Sequence, residues 1–298
     1  MENLDKWRQA GKITAEALMF AKKLIKPDAK LIDTADAVDK KIIELGGKPA
    51  WPTQISLNDV AAHFTADPND ETILKDQVVS VDVGAHIDGF VGDTACTVDL
   101  SGKHEKLVQA TKEALRNAIK TIAVGVEIRE IGKAIEETIK KFGFQPVKNL
   151  SGHGINQWII HDEPSIPNFD NGDKTILKKG QIIAIEPFAT TGKGMVDETE
   201  RGNIFSLIRP RPVRSPFARE ILAFVAENYQ SLPFTTRWLT TKFGTGKTNL
   251  GLKELLLSGS LHAHPPLVEV SKGMVSVYEQ TLLVDDTVEV LTQYSLDD

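Results

Sequence analysis

Two acidic residues stand at equivalent places in two similar stretches of the chain, where their side chains could bind a cation. Residues 72–82 read TILKDQVVSVD and residues 175–186 read TILKKGQIIAIE, so that Asp82 and Glu186 each end an apolar, strand-like segment. An ionised carboxylate in such a strand is unfavourable unless it is paired or coordinates a metal. We therefore expect the two acids to share one cation site where two related halves of the protein meet.

The first acid has a predicted partner across a β-hairpin. Residues 78–85 and 90–98 are predicted as strands joined by the two-residue turn Asp88-Gly89. This turn aligns Gly84 with Asp93, which makes Asp82 and Asp93 diagonal neighbours on one face, with Cβ atoms about 7 Å apart or less. Their carboxylates could straddle one ion or reach two.

The second copy supplies a matching pair, Glu186 and Glu279, although 93 positions separate them. Four carboxylates on one face repel one another strongly unless cations neutralise them. For a single acid, a buried and hydrogen-bonded carboxylate is the more common explanation, but a symmetric set of four favours a metal site. Oxygen ligands with one or two imidazoles suit Mn, Fe, Co or Zn better than Mg or Ca.

Three histidines are candidates to join these acids. His153 lies among small residues and is predicted to be a metal ligand in a loop. His63 and His161 stand at related places of the two copies, 98 residues apart, and are candidates for acid–base or oxyanion-stabilising roles. Taken singly, each would more often be a structural histidine. His262 and His264 could form a ligand pair, but their place at the edge of a predicted insertion favours loop structure.

The repeat extends upstream of the acids and predicts the elements that position them. Ile42, Gly46 and Pro49 match Ile139, Gly143 and Pro146 at one offset of 97 residues. Each half is therefore predicted as two helices, a glycine stop and then strands. The predicted helices cover residues 12–26, 32–45, 104–123 and 128–142, and the predicted strands of the second half lie at 147–149 and 182–185.

The long segment between Glu186 and Glu279 is predicted to be an insertion at the tip of the second hairpin. Helices are expected at residues 217–229, 235–240 and 250–257, followed by a wing-like return at 258–267. We accordingly predict a catalytic domain over residues 1–201 and 267–298 and an inserted, winged-helix-like helical subdomain over 202–266. The insertion carries eight Lys and Arg against three acids, a net charge of +5, whereas the rest of the chain carries −11. This asymmetry suggests a surface role for the insertion, and an ordinary solvated face is an equally good explanation.

Composition limits the class of protein. At 298 residues with one cysteine, Cys96, the chain is large enough for a core without disulfides and fits a reducing compartment. It has neither a signal-peptide pattern nor an apolar run near 18 residues, so we expect a soluble, cytoplasmic protein without membrane contact. Residues 244–248 read GTGKT, but Thr241 stands where a phosphate loop needs its first glycine, so nucleotide binding is not expected.

Nine short segments resemble the methionine aminopeptidases, and together they span nearly the whole chain. They are residues 48–52 (KPAWP), 61–65 (AAHFT), 82–84 (DVG), 86–90 (HIDGF), 93–95 (DTA), 151–153 (SGH), 165–168 (SIPN), 185–188 (IEPF) and 278–281 (YEQT). The insertion before Glu279 resembles the type II branch in its short, archaeal-like form without an N-terminal extension. The resemblance implies a pseudo-twofold α+β "pita-bread" fold with two divalent metal ions (Co, Mn, Fe or Zn) at its centre.

The resemblance also implies a ligand set and a proton carrier. Asp82 and Asp93 would hold one ion, and Asp93, His153, Glu186 and Glu279 would surround the other, with Asp93 and Glu279 shared. Glu186 would carry a proton from the attacking water, activated by the metals, to the leaving amine.

Three further residues would contact the substrate. His161 would stabilise the developing oxyanion, His63 would contact the scissile amide, and Trp51 would line the methionine pocket. Two positions depart from the family pattern, because Trp51 stands where Phe is usual and Gln280 stands where His is usual.

The implied activity is removal of the initiator methionine from nascent polypeptides when the second residue is small and uncharged. The protein is expected to act as a monomer on nascent N-termini. The basic insertion is expected to wall the substrate groove, and contact with the ribosome is its alternative role. Two alternative functions are considered. One is a proline-directed peptidase of the same fold, which usually has a large N-terminal domain, and the other is a metal-free homologue that binds ribosomes or nucleic acid.

Overall fold

Two similar halves and one insertion make up the computed structural model, which describes residues 3–296. The first two and last two residues of the predicted catalytic domain lie outside the described residues. The helices are α1 (Leu4–Leu24), α2 (Leu31–Glu44), α3 (Glu105–Thr121), α4 (Ile128–Lys141), α5 (Pro216–Asn228), α6 (Thr236–Phe243) and α7 (Thr245–Leu257).

The strands are short except for one long hairpin. They are β1 (Lys48–Pro49), β2 (Gln54–Leu57), β3 (Val60–Ala62), β4 (Val78–Ile87), β5 (Phe90–Asp99), β6 (Gln145–Pro146), β7 (Ser151–Asn156), β8 (Ile159–Pro167), β9 (Ile182–Ile185), β10 (Phe188–Thr190), β11 (Val196–Glu198), β12 (Ile204–Leu207), β13 (Phe234–Thr235), β14 (Leu261–His264), β15 (Leu267–Glu269), β16 (Val275–Val277), β17 (Gln280–Leu283) and β18 (Glu289–Val290). Within residues 3–296, no helix combines the length and the apolar character that crossing a membrane requires.

The predicted duplication is visible in the ends of the helices. Gly46 after α2 and Gly143 after α4 adopt φ angles of 90° and 88°, a left-handed conformation that favours glycine and stops each helix. The following strands repeat the relation, since β1 pairs with β4 through Pro49 and Ala85, and β6 pairs with β10 through Pro146 and Ala189. The equivalences inferred from the 97-residue offset are therefore confirmed.

The helices cover one face of the strands and leave the acids on the other. In β4, Val79, Val81 and Val83 are fully buried and belong to the main hydrophobic core, together with Leu18 of α1 and other apolar helix residues. Side chains alternate between the faces of a strand, so Asp82 points to the opposite side. The sequence pattern thus places apolar residues under the helices and polar residues in the centre of the molecule.

The first hairpin has the predicted register. Strands β4 and β5 pair Ile87 with Phe90, Gly84 with Asp93 and Asp82 with Ala95. The Asp88-Gly89 turn fixes this alignment, because Asp88 and Gly89 both adopt positive φ angles of 50° and 86°.

The second hairpin is interrupted, as predicted, by the long insertion. Strand β9 pairs with β17 through Ile185 and Gln280, and β10 pairs with β16 through Phe188 and Val277. The same register runs through the break between these ladders, so Glu186 lies opposite Glu279. The second pair of acids is directly opposed, whereas the first pair is diagonal.

The insertion has its own hydrophobic cluster. Strands β13, β12 and β14 form a small sheet, and helices α5 to α7 pack beside it around Phe205, Ile221, Phe234 and Leu255. Helix α5 begins where Ser215 caps the chain before Pro216, and the predicted third helix begins earlier than expected, at Thr245. A separate cluster supports the predicted subdomain, whose boundaries at 202 and 266 remain a prediction.

A polar cluster around the buried side chains of Arg237 and Asp39 links the insertion to the first half. Arg237 of α6 contacts Asp36 and Asp39 of α2, and the indole Nε1 of Trp238 donates to Asp39 Oδ2 over 2.9 Å. Asp39 Oδ1 also accepts from the backbone N–H and the hydroxyl of Thr53, at 3.0 and 2.7 Å. The insertion is therefore joined to the segment that leads into β2.

Three local predictions were wrong. Helix α1 begins at Leu4 rather than residue 12, because its first turns bury Trp7 and Ala10; Gly11 lies within the helix, where a Cβ would be 2.4 Å from the carbonyl oxygen of Leu291. Residues 147–149 are not a strand, since the Asn149 side chain exchanges hydrogen bonds with the backbone of Val196 instead. Finally, His153 lies in strand β7 and not in a loop.

Candidate metal centre and substrate cavity

Three of the predicted ligands meet at the centre of the molecule. Asp93, His153 and Glu279 each offer a ligand atom within 4.8 Å of the others, and all three are buried. They come from β5, from β7 and from the residue before β17. Strands from both halves therefore contribute to one cluster, as the duplication requires.

His153 links this cluster to the fourth acid. Its Nε2 lies 3.6 Å from Asp93 Oδ2 and 3.5 Å from Glu186 Oε1. Its Nδ1 lies 3.1 Å from the carbonyl oxygen of Gly154, which can only accept a hydrogen bond, so the ring proton belongs on Nδ1. Burial and the neighbouring His161 lower the pKa of His153 to about 3, and the neutral Nε2 is left facing the acids.

Hydrogen bonds between the two hairpins fix the backbone at the acids. The hydroxyl of Thr281 accepts from the N–H of Asp93 over 2.9 Å and donates to its carbonyl oxygen over 2.8 Å. Thr94 donates to the carbonyl oxygen of Glu279 over 2.6 Å. These two threonines, which the sequence analysis did not single out, hold Asp93 and Glu279 at a fixed separation. Thr94 directly follows Asp93 in the DTA segment, and Thr281 lies two residues after Glu279 in the EQT segment. This closeness in the sequence could have identified both threonines as part of the site.

The fifth predicted ligand, Asp82, lies beside the cluster and has a different neighbour. The indole Nε1 of Trp51 donates a hydrogen bond to Asp82 Oδ1 over 3.1 Å. Burial raises the pKa of Asp82 to about 7, and the Trp51 hydrogen bond acts against that rise. Asp82 and Trp51 both line the central cavity.

The buried acids of the cluster would be stable in their ionised form only with cations beside them. Burial, and then repulsion between the acids themselves, raises the pKa values of Asp93, Glu186 and Glu279 well above the ordinary range. Among the described residues, no Lys or Arg lines the cavity. Four carboxylates and one imidazole, with no Lys or Arg among the described residues of the cavity lining, fit a site for divalent metal ions.

The acids open onto a cavity of about 500 Å³ that also contains the other predicted site residues. The ring of His161 packs edge-on against His153 at 4.5 Å, and partial desolvation lowers its pKa although it faces the open cavity. His63 has a left-handed backbone, held by its N–H donating to Gln54 Oε1 over 2.5 Å. Burial lowers the pKa of His63 to about 4. Both imidazoles are thus neutral near pH 7.

One cavity residue was missed. His264, interpreted from the sequence as loop structure, lies in β14 with its Nε2 2.9 Å from the hydroxyl of Ser206 and its ring 5.7 Å from that of His63. His264 thus brings the insertion to the cavity wall.

Gln280 points away from the cavity, since its amide nitrogen lies 3.4 Å from the carbonyl oxygen of Thr292. The Gln280 departure from the family pattern therefore lies outside the cavity lining.

Comparison with known proteins agrees with this geometry. Residues 5–206 match metallopeptidase family M24. A methionine aminopeptidase of Archaeoglobus fulgidus is 47% identical over 95% of this chain and 95% of its own length. The crystal structure of methionine aminopeptidase from Thermotoga maritima covers 97% of this chain and 96% of its own, with 25% identity and a TM-score of 0.72. The structure of a thermophilic Arx1 covers 99% of this chain and 92% of its own with a TM-score of 0.85, and at 17% identity it shows the fold alone. The chain therefore belongs to metallopeptidase family M24 and, within it, to the methionine aminopeptidases.

Proposed function

We propose that this protein is a methionine aminopeptidase that uses two divalent metal ions and acts where the second residue of the substrate is small and uncharged. The observation that carries the proposal is the cluster of four acids and His153, which faces a cavity without a basic side chain among the described residues. Two divalent cations would balance the four negative charges. Their proposed ligands are Asp82, Asp93, His153, Glu186 and Glu279.

Divalent metal ions at this site would lower the pKa of a water molecule and polarise the carbonyl of the first peptide bond. Glu186 is proposed to take a proton from the attacking water and to pass it to the leaving amine. Burial and repulsion by Asp93 and Asp82 raise the pKa of Glu186, which favours its taking up a proton. The side chain lies 3.5 Å from His153 and lines the cavity, where a substrate can reach it.

The neutral histidines are proposed to act on the substrate. His161 would donate a hydrogen bond to the oxygen of the scissile carbonyl as negative charge develops there, and His63 would contact the scissile amide. Both lie on the cavity wall, and His63 is positioned by Gln54. Trp51, with 4% of its surface exposed, is proposed to line the pocket for the methionine side chain.

The insertion is proposed to restrict the residue that follows methionine. Ser206, Ser231, Pro233 and His264 from the insertion lie on the cavity wall. This wall would crowd a large or charged side chain in the second position of the substrate. The proposed site needs no residue from a second copy, and we propose that the protein acts as a monomer.

Peptide hydrolysis tests the proposal. Peptides beginning Met-Gly and Met-Ala should be cleaved with a much higher kcat/KM than Met-Phe and Met-Lys peptides, and chelator should abolish turnover until Mn or Co is added back. Metal analysis should give two ions per chain, and Asp93→Ala or Glu279→Ala should lose both metal and activity. Comparable kcat/KM on Met-Gly and Met-Phe peptides would refute the proposed specificity. Preference for Xaa-Pro peptides would support the proline-directed alternative. Full activity in the presence of excess chelator would exclude the metal mechanism.

Contact with the ribosome is a further proposal, supported by the basic segment before α5. Arg209, Arg211 and Arg214 are exposed and alternate with prolines, which keep the backbone extended. Initiator methionine is removed as chains emerge in the cytoplasm, so phosphate contacts there would bring the enzyme to its substrate. The groove wall formed by the same insertion remains the role that the cavity supports best.

A further inference from the structure

Trp51 lines the central cavity and contacts one of its acids. Its indole is 4% exposed and lies flat against β4, since a Cβ on Gly84 would come within 2.4 Å of its ring atoms. From this position the Nε1 proton points to Asp82 Oδ1, 3.1 Å away. Gly84 and Asp82 are on the same face of β4, so the small residue at 84 makes room for the ring that reaches the acid.

We propose that Trp51 is a positioning residue for the metal ion at Asp82: its indole N–H fixes the orientation of the Asp82 carboxylate. The inference rests on the proposed ligand role of Asp82 and adds a residue outside the ligand set. A phenyl ring in the same place would fill similar space but could not donate a hydrogen bond.

Asp82 depends on this support more than Asp93 and Glu279 do. Asp93 and Glu279 have their backbones locked by Thr281 and Thr94, and they lie within ligand distance of His153. For the Asp82 carboxylate, Trp51 is the one hydrogen-bond donor found in the part of the chain that the structure describes. Without it, the carboxylate could rotate toward the open cavity.

The chain on both sides of Trp51 is itself anchored by hydrogen bonds. The N–H of Ala50 donates to the carbonyl oxygen of Gly84 over 2.9 Å, which ties the segment before Trp51 to β4. Two residues after Trp51, Thr53 donates twice to Asp39, the same buried acid that Trp238 of the insertion contacts. A donor anchored in this way can fix the orientation of a ligand, and loss of such outer contacts typically lowers metal affinity 10–100-fold.

The test is a Mn(II) titration of the metal-free protein in which free Mn(II) is measured by electron paramagnetic resonance. Trp51→Phe should bind one of its two ions about 10-fold more weakly than wild type, at a temperature where circular dichroism shows both proteins folded. Trp7→Phe is the matched control, because Trp7 is a buried tryptophan of the same hydrophobic cluster that packs on Phe90 and is not among the described residues lining the cavity. It should bind Mn(II) as wild type does.

Asp82→Ala separates failure of the inference from failure of the proposed function. Loss of one ion in Asp82→Ala together with unchanged affinities in Trp51→Phe would overturn the role of Trp51 and leave the ligand set intact. Unchanged binding in Asp82→Ala would remove Asp82 from the ligands, and the inference would fall with it. If Trp51→Phe does not fold, the wild-type indole provides the measurement: its ¹⁵N–¹H signal, assigned by elimination with Trp7→Phe, Trp158→Phe and Trp238→Phe, should shift when Zn(II) is added. An unchanged signal would overturn the proposal.

Discussion

We expect the metal-free protein to lose stability as the pH rises from 7.5 to 8.5. Burial and mutual repulsion hold the pKa values of Asp93, Glu186 and Glu279 well above those of ordinary carboxyl groups, so the folded protein keeps protons that the unfolded chain releases near pH 4. A group whose pKa is raised on folding contributes stability at low pH, and this contribution disappears as the pH rises through the folded value. The free energy of unfolding of the metal-free protein should therefore fall as the pH rises.

The magnitude follows from the number of protons retained. Each proton that is bound in the folded state and absent from the unfolded state lowers the free energy of unfolding by about 1.4 kcal/mol per pH unit. Each of Asp93, Glu186 and Glu279 that keeps its proton in the folded state therefore adds a fall of about 1.4 kcal/mol across the window. Histidines act in the opposite sense, because burial lowers the pKa of His63 to about 4 and of His153 to about 3. Their contribution is largely complete above pH 7.5, since unfolded histidine titrates near pH 6.5.

Urea denaturation followed by circular dichroism measures the effect directly. Curves recorded with chelator at pH 7.5, 8.0 and 8.5 should show the fall, and curves with saturating Mn(II) should not, because bound cations hold the acids ionised in the folded state. Glu279→Gln removes one titrating group and should reduce the metal-free slope by up to about 1.4 kcal/mol per pH unit. A metal-free stability that stays constant or rises over this window, with equal slopes in wild type and Glu279→Gln, would refute the argument.

Two further predictions concern the histidines and the basic insertion. His63→Ala and His161→Ala should each lower kcat by about 10²–10³-fold with unchanged metal content; a variant that loses activity only by losing metal would make that histidine a ligand instead. Replacing Arg209, Arg211 and Arg214 with Gln should weaken ribosome association in low salt and flatten its salt dependence without affecting peptide hydrolysis. Equal ribosome binding by wild type and the triple variant would leave the insertion with its groove-wall role alone.

The parts of the structure that follow local rules could be predicted from the sequence. The Asp88-Gly89 turn determines the register of the first hairpin, and side-chain alternation then assigns Asp82 and Asp93 to one face. Gly46 and Gly143 each end a helix in a left-handed conformation, which favours glycine. The two copies therefore kept a glycine at the same offset, and this repeat in the sequence predicted the duplication. These features depend on neighbouring residues, so a single sequence contains them.

The contacts that cross the molecule could not be predicted in this way. No local pattern indicates that His264 of the insertion meets His63, or that Arg237 is buried against Asp36 and Asp39. Such contacts depend on how separate elements pack, and the polar residues involved resemble surface residues in the sequence. The same holds for the hydrogen bond from Trp51 to Asp82, where the sequence indicated only a larger aromatic residue in a pocket.

The two halves of the repeat, although related, are not equivalent at the acids. At the 97-residue offset, Trp51 of the first half corresponds to Lys148, whose Nζ lies over the ring of Phe169 at 5.5 Å and not in the cavity. Asp82 thus has an indole donor, whereas its counterpart Glu186 has the imidazole of His153 3.5 Å away. A metal ion on the Asp82 side would meet carboxylates alone, and one on the Glu186 side would also meet a nitrogen ligand. Because nitrogen and oxygen ligands differ in their preference among transition metals, the two positions should differ in their affinity for a given metal ion. The position at Asp82, which lacks the imidazole, should depend more on the orientation that Trp51 gives to the Asp82 carboxylate.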